Sequence, residues 1–458
     1  MARLQDPQQA SGERLLAQLD DALTRYESAQ CFSCGGSLPV SPTSDYGDFT
    51  SEKKPVTCPR PVIFWRNGRV SKYTTIDCTW TATRDWENSL EELVQDCSPA
   101  TFGCDDKNVF DEKIRKAGAI GAHSVSTNFN PYDFGIIDAV TRELLPGIVR
   151  AGKEPAVERW GIIAELYQLN IYSGPSGMFK SHVDTPRGRT HFGSLVVVLP
   201  TEFQGGQLKI VHMGQERVYL EQPKWHFRND TIRWVAFYSD CEHEVLPVSA
   251  GHRVTLTYHL YVSAHMGGLA QPQLQTPGSK TYPMYCGVKN LLASPTFMRS
   301  GGILGFHCSF QYPETWEGTY FYERYPRTLK GIDAVIFAVF RAFGLTVHIK
   351  PYNWRVEMAD VKTRHQILLS AGVTTGGEPA VNNKELEQFG RGHYVGDEIF
   401  SHANWFNEMP QGVSAGAGYL VGAKPTRWLG NEAEVEWDYS FRALFVVVPA
   451  FSDRILEA

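Results

Sequence analysis

The hydrophobic pattern of the chain changes character near residue 161. Beyond it, IIAELYQLNIY, MFKSHVDT, FGSLVVVLP, GGQLKIVHM, ERVYL, IRWVAFYSD, HEVLPV and HRVTLTYHLYV follow in close succession. Each run is rich in Val, Ile, Leu, Thr, Tyr or Phe and is bounded by Gly, Pro, Asn or Asp, the pattern of short strands. Eight such runs with no helical spacing between them predict a jelly roll or a β-sandwich.

The flanks read differently. The start of the chain is an amphipathic helix after a frayed end, and CGGSLPVSPTSDYGDFTSEKKP is turn-rich loop. PVIFWRNGRVSKYTTI predicts a hairpin turning at Asn67-Gly68, and DFGIIDAVTRELL has helical spacing up to about Pro146. After a linker, GGLAQPQLQTPGSKTYP, the run LKGIDAVIFAVFRAFGL predicts a buried helix stopped by Gly344. TVHIKPY and FRALFVVVPAF read as strands. The expected organisation is an N-terminal α/β extension over 1–155, a strand-rich domain over 156–266, and a C-terminal α/β region over 280–458 with no legible chemistry of its own.

Composition narrows the class. Over 458 residues, 42% hydrophobic and 21% charged residues are those of a globular protein with a large core. The net charge of −6 comes with no basic run, so nucleic acid is an unlikely partner. No signal-peptide core and no apolar stretch of membrane-spanning length occurs, which points to a cytoplasmic or nuclear protein. Nine scattered cysteines fit reduced thiols. Cys31 and Cys34 form a CxxC, but no second pair follows at zinc-ribbon spacing, so ordinary thiols are expected there.

The sharpest chemical signal is His182-Val183-Asp184, then His243, then Arg253. One intervening residue on a strand puts His182 and Asp184 on the same face. A later strand must deliver the third ligand, and HEVLPV begins with His243. Two histidines and a carboxylate on one side of an ion leave three open positions, the arrangement of non-haem iron(II) oxygenases. Further along, alternation sets Arg253, Thr255 and Thr257 on one face of their strand, with Val254, Leu256 and Tyr258 on the other. A buried guanidinium is costly without an anion, and a carboxylate is its best partner. The bland alternative pairs Arg253 with Glu242 or Glu244.

With these residues in place, the segment over roughly 160–265 resembles the iron(II)- and 2-oxoglutarate-dependent dioxygenases of the prolyl 4-hydroxylase alpha-subunit type. NIYSGPSGMFKSHVDTPR, GGQL, FYSDCEHEV and GHRVTLTYHL carry the likeness. ATFGCD, STNFNPYDFGIIDA and GNEAEVEWDYSF are similar to the flanks of fungal members. The resemblance implies a mainly β fold with flanking helices, built on a double-stranded β-helix (jelly-roll) core with N- and C-terminal extensions. It implies His182, Asp184 and His243 as iron ligands and catalytic centre, and Arg253, Thr255 and Tyr172 as binders of 2-oxoglutarate. The strand after the HxD, GSLVVVLP, lacks the tyrosine that some relatives use. Thr255, Ser194 or Tyr172 is expected to substitute.

The implied reaction oxidises an unactivated C–H bond with O2, releasing succinate and carbon dioxide. The substrate is expected to be an amino-acid-derived small molecule or a protein side chain, in a pocket lidded by residues 34–60 or by the C-terminal region. Two rivals remain: a catalytically silent jelly-roll binding module and a cupin-like zinc hydrolase. His191, His212, His252, His259 and His265 read as satisfied or surface histidines. Trp225, Trp234, Phe237 and Tyr238 read as core packing or pocket lining.

Overall fold

Two sheets share one long strand, and that strand organises the molecule. The computed structural model describes residues 14–23, 31–41, 57–76, 84–104, 107–145, 160–220, 231–264, 279–315, 328–351, 403–407, 413–416, 419–422, 429–430 and 437–454. Most of the expected turn-rich loop (42–55), most of the linker (265–278), Trp225 and His265 lie outside them.

The larger sheet contains β1 (Ser33–Pro39), β2 (Gly118–Gly121), β3 (Trp160–Ser173), β5 (His191–Val198) and β8 (Thr231–Tyr238). The smaller contains β4 (Gly177–His182), β6 (Leu208–His212) and β7 (Gln215–Tyr219). β9 (Glu242–Ala264) belongs to both. Its first half pairs with β4 and β6, and its second half with β3 and β5, all antiparallel. HEVLPV and HRVTLTYHLYV, expected as two strands, are therefore one. Gly251 sits between the halves at φ +71, where a Cβ would lie 2.1 Å from the Glu202 carbonyl oxygen. Only glycine takes that position. The mainly β, jelly-roll expectation holds, and helices flank it.

Alternation on β9 gives each sheet face its role. Val254, Leu256, Leu260 and Val262 are fully buried on one face. The helix Ile136–Leu144, with Ile136, Ile137, Val140 and Leu144 buried, packs against the same sheet at β1, β3 and β8. Burying each such side chain contributes about 1.5–3 kcal/mol. The other face, carrying Arg253, Thr255, Thr257 and His259, looks into the roll.

One sequence reading is corrected. The first residues of the supposed loop, Ser33–Pro39, form β1 at the edge of the larger sheet, paired with β8 from Ser33↔Phe237 to Pro39↔Thr231. Its glycines hid it: Gly35 and Gly36 lie against Tyr219 and Trp234, where larger side chains would collide. Cys31 lies just before this strand and Cys34 within it, both as free thiols.

The C-terminal residues build a separate sheet that includes β10 (Gly302–Thr315), β11 (Thr346–Pro351) and β12 (Trp437–Val448), with the helix Gly331–Ala342 against it. Gly344 ends that helical segment at φ +75, as expected from its position. This region is welded to the roll by charge. Lys330 Nζ lies 2.7 Å from Asp240 Oδ1 and 3.0 Å from the Gln311 carbonyl, and the Gln311 N–H donates to Asp240 Oδ2. Among the described residues, no helix is long and apolar enough to cross a membrane.

Candidate metal centre

β4 and β9 run side by side with His182 and His243 as direct cross-strand partners. Their rings lie 4.1 Å apart between centroids. Asp184 stands just past the end of β4, which stops at His182. Strand alternation therefore does not aim Asp184, contrary to the sequence expectation. Two hydrogen bonds do so: the Ser194 hydroxyl donates to Asp184 Oδ2, and the Tyr439 hydroxyl donates to the Asp184 carbonyl at 3.2 Å. The three side chains are buried and offer ligand atoms within 4.8 Å of one another, a set that could hold a metal ion.

Hydrogen bonding fixes which atoms point inward. His182 Nδ1 lies 2.8 Å from the Lys180 carbonyl, and His243 Nδ1 lies 3.1 Å from the Cys241 carbonyl. A carbonyl only accepts, so each Nδ1 carries a proton, leaving each Nε2 as the atom available to a metal. Asp184 Oδ2 is occupied by Ser194, while Oδ1 lies 3.7 Å from His243 Nε2. Burial and the neighbouring His243 push the His182 imidazole well below its ordinary pKa, which keeps it neutral. Phe179 stacks on His182 at 3.5 Å, and Phe237 lies 4.6 Å from His243, so both rings are locked by packing.

Arg253 lies on the interior face of β9, opposite Tyr172 of β3. It is fully buried, with its guanidinium 5.3 Å from the Tyr172 ring. Its Nε and Nη2 make no hydrogen bond. The bland pairing with glutamate fails: Glu244 lies 3.4 Å from Lys209 Nζ instead. Burial pushes Arg253 down to about 10, still charged at neutral pH. Gly206 makes room for it, since a Cβ there would meet Arg253 Cδ at 2.9 Å. Thr255, on the same face, donates to the Asn170 carbonyl at 3.3 Å, a long bond. Ser194, considered as a stand-in for the missing tyrosine, is engaged with Asp184 instead.

Sequence reading missed a polar relay on this face. Arg115 donates through Nη2 to Asn170 Oδ1 at 2.7 Å and covers the Phe179 ring at 4.5 Å. Asn170 Nδ2 donates to Thr257 at 3.1 Å, and Gln168 Nε2 donates to Asn170 Oδ1 at 2.8 Å. Gln168, Asn170 and Tyr172 alternate within an apolar run, a signal available in the sequence. Nothing local marks Arg115 or Tyr439. Of the histidines set aside as satisfied or surface, His191 and His259 are buried, and among the described residues no side chain hydrogen-bonds their ring nitrogens.

Residues 167–261, from β3 through β9, match the model of the 2OG-Fe(II) oxygenase superfamily. No curated protein matches the chain. Among solved structures, a Pseudomonas putida prolyl-4-hydroxylase is similar at 18% identity, covering 38% of this chain and 82% of that one, with a TM-score of 0.23. A Trichoplax adhaerens prolyl hydroxylase, in complex with a hypoxia inducible factor oxygen degradation domain peptide fragment, is similar at 14% identity. It covers 57% of this chain and 94% of that one, with a TM-score of 0.27. Overlaps at this level carry no argument about substrate. The family match falls on the segment that brings His182, Asp184 and His243 together, so it is residues 167–261 that carry the similarity to the 2OG-Fe(II) oxygenase superfamily.

Proposed function

We propose that the protein inserts oxygen into an unactivated C–H bond of an amino-acid-derived small molecule or a protein side chain. The balance is R–H + 2-oxoglutarate + O2 → R–OH + succinate + CO2. The observation that carries this reading is the coexistence, inside one roll, of a buried His/Asp/His set and a buried guanidinium with no anion beside it among the described residues.

In this reading His182 Nε2, His243 Nε2 and Asp184 Oδ1 hold iron(II). The donor set fits, being two imidazoles and one carboxylate with their outer atoms already hydrogen-bonded. When bound, the iron and 2-oxoglutarate supply the oxidising chemistry that no side chain can. The chain contributes orientation and dryness. Arg253 binds the far carboxylate of 2-oxoglutarate, restoring the anion its burial calls for. The Tyr172 ring beneath the guanidinium fixes its plane, and Thr255 turns its hydroxyl from the long Asn170 contact to the same carboxylate. The apolar walls from Phe179 and Phe237 exclude water from the ligands.

The test is succinate release by the purified chain with iron(II), 2-oxoglutarate and O2, with dissolved oxygen followed in parallel. Succinate above the non-enzymatic rate, abolished by chelation and by Asp184→Ala, supports the reading. Tight zinc binding with no oxygen consumption under any of these conditions overturns it. The free cysteines of the described residues suit a reducing, cytoplasmic setting.

A further inference from the structure

Behind Asp184 lies a second group of polar side chains that the metal centre does not use. His259 follows Thr257 on the interior face of β9, and its cross-strand partner is Ser194, whose hydroxyl holds Asp184. Cross-strand partners carry their Cβ atoms about 5 Å apart on the same face. His259 therefore borders the carboxylate side of the metal centre. His191, at the start of β5, pairs with Tyr261 of β9.

The two imidazoles meet edge to face at 5.1 Å, with Tyr167 4.5 Å from His259 and Tyr261 5.3 Å from His191. Arg187 lies over the Tyr167 ring at 4.8 Å. It comes from the turn after β4 that also carries Asp184, so one short segment serves both places.

His191 is 1% exposed and His259 is 2% exposed. Among the described residues neither ring nitrogen of His259 makes a hydrogen bond, and His191 is left with a contact to the Gly193 backbone that falls short of hydrogen-bond geometry. A buried polar group left this way is costly, and these two adjacent imidazoles carry several. An apolar pair of similar shape would be cheaper if the site only had to pack. Two cations lie nearby. Arg187 presses on both imidazoles, and Lys330 presses on His191 although Asp240 pairs with it. Of the acids on this side, Asp184 belongs to the metal centre, and Glu165 is exposed and interacts with the Tyr261 hydroxyl at the rim. Burial and these cations keep His191 down at about 3 and His259 well below its ordinary value. Both rings thus wait neutral, each with one donor and one acceptor unused.

We infer that His259 and His191, with Arg187, form the substrate-recognition subsite and take a carboxylate of the substrate beside the metal centre. A carboxylate accepts from both imidazole N–H groups and offsets the local positive charge, and the flanking tyrosine rings suit the short apolar stem that bears it. The enclosure favours a small acid or a chain end over a carboxylate in the middle of a folded surface. This inference rests on the oxygenase reading for the word substrate, but the binding itself does not depend on turnover.

The experiment uses the full chain labelled with 15N-histidine, loaded with zinc in place of iron and saturated with 2-oxoglutarate. Imidazole nitrogen shifts are followed by NMR during titration with N-acetylglycine, its neutral amide, and a blocked tripeptide bearing an internal aspartate. The acid is expected to move the His259 and His191 signals toward the imidazolium range and to raise their apparent pKa by about one unit or more. The amide should leave them in place. A response to the tripeptide would assign the carboxylate to a side chain, and silence would assign it to a small acid or chain end. His259→Phe should weaken the acid about tenfold while zinc and 2-oxoglutarate affinities stay unchanged; His259→Gln serves if the phenylalanine variant does not fold. Equal shifts with acid and amide, or none with acid at about 50 mM, far above the ~1 mM expected of so small an anion, overturn the inference. Failure of the chain to bind zinc or 2-oxoglutarate would count against the oxygenase reading alone, because the imidazole response is read separately.

Discussion

The interior of the roll and its joint with the C-terminal sheet bury similar kinds of polar groups and treat them in opposite ways. At the joint, Lys330 and Asp240 pair at 2.7 Å, and burial, which would raise the Asp240 carboxyl, is outweighed by the lysine, so it stays below its ordinary range. Nearby Asp333 is pushed up to about 7 by burial, yet accepts from the Ser309 and Phe310 N–H groups and the Tyr312 hydroxyl. In the interior, Arg253, His191 and His259 have no such partners. Satisfied networks hold a structure together, while unsatisfied ones await a ligand.

Substitutions can break that contrast. The largest effect is expected from His182→Ala, which should lower 2-oxoglutarate turnover by about 10³-fold or more while leaving the metal-free fold near wild-type stability, checked by succinate release and urea denaturation. Lys330→Met should do the reverse to the fold. It strands Asp240 in the interior and should cost about 3–5 kcal/mol in the same denaturation experiment. Arg253→Met sharpens the difference. It should weaken 2-oxoglutarate about 100-fold by calorimetry yet leave stability equal or higher, since no internal ion pair is lost.

Acid should act on both regions. His191 of the interior and His307 of β10 are each held at about 3 by burial, against about 6.5 in the unfolded chain. Between those values the unfolded state binds more protons, so stability present above about pH 6.5 is lost as pH falls toward 3. At pH 5 each should account for about 2 kcal/mol, read as a drop in the urea midpoint from pH 7 to pH 5. Smallest of all, Tyr439→Phe should cost about 1 kcal/mol and loosen metal binding severalfold in a competitive chelator titration, because one bond to the Asp184 backbone is lost.

That last bond shows where sequence reading stops. Strand runs, the His182/Asp184/His243 order and the inward parity of Arg253 and Thr255 were all legible, because period-two alternation and ligand chemistry are local properties. β1 was not, since its glycines imitate a loop until Tyr219 and Trp234 are seen filling the space above them. Nor was the aim of Asp184, which leaves the strand before alternation can orient it and is held by Ser194 and Tyr439, the latter 255 residues away.

The amino-acid sequence by itself determined the class of chemistry: which side chains can hold a divalent ion, and which strand faces they share. Tertiary structure alone decided which buried polar groups would find partners. His191 and His259 look like any core histidines in the sequence, and Lys330 looks like a helix-leading cation. Hydrogen-bond satisfaction depends on what a distant segment brings within about 3 Å, and that distance exists only once the chain has folded.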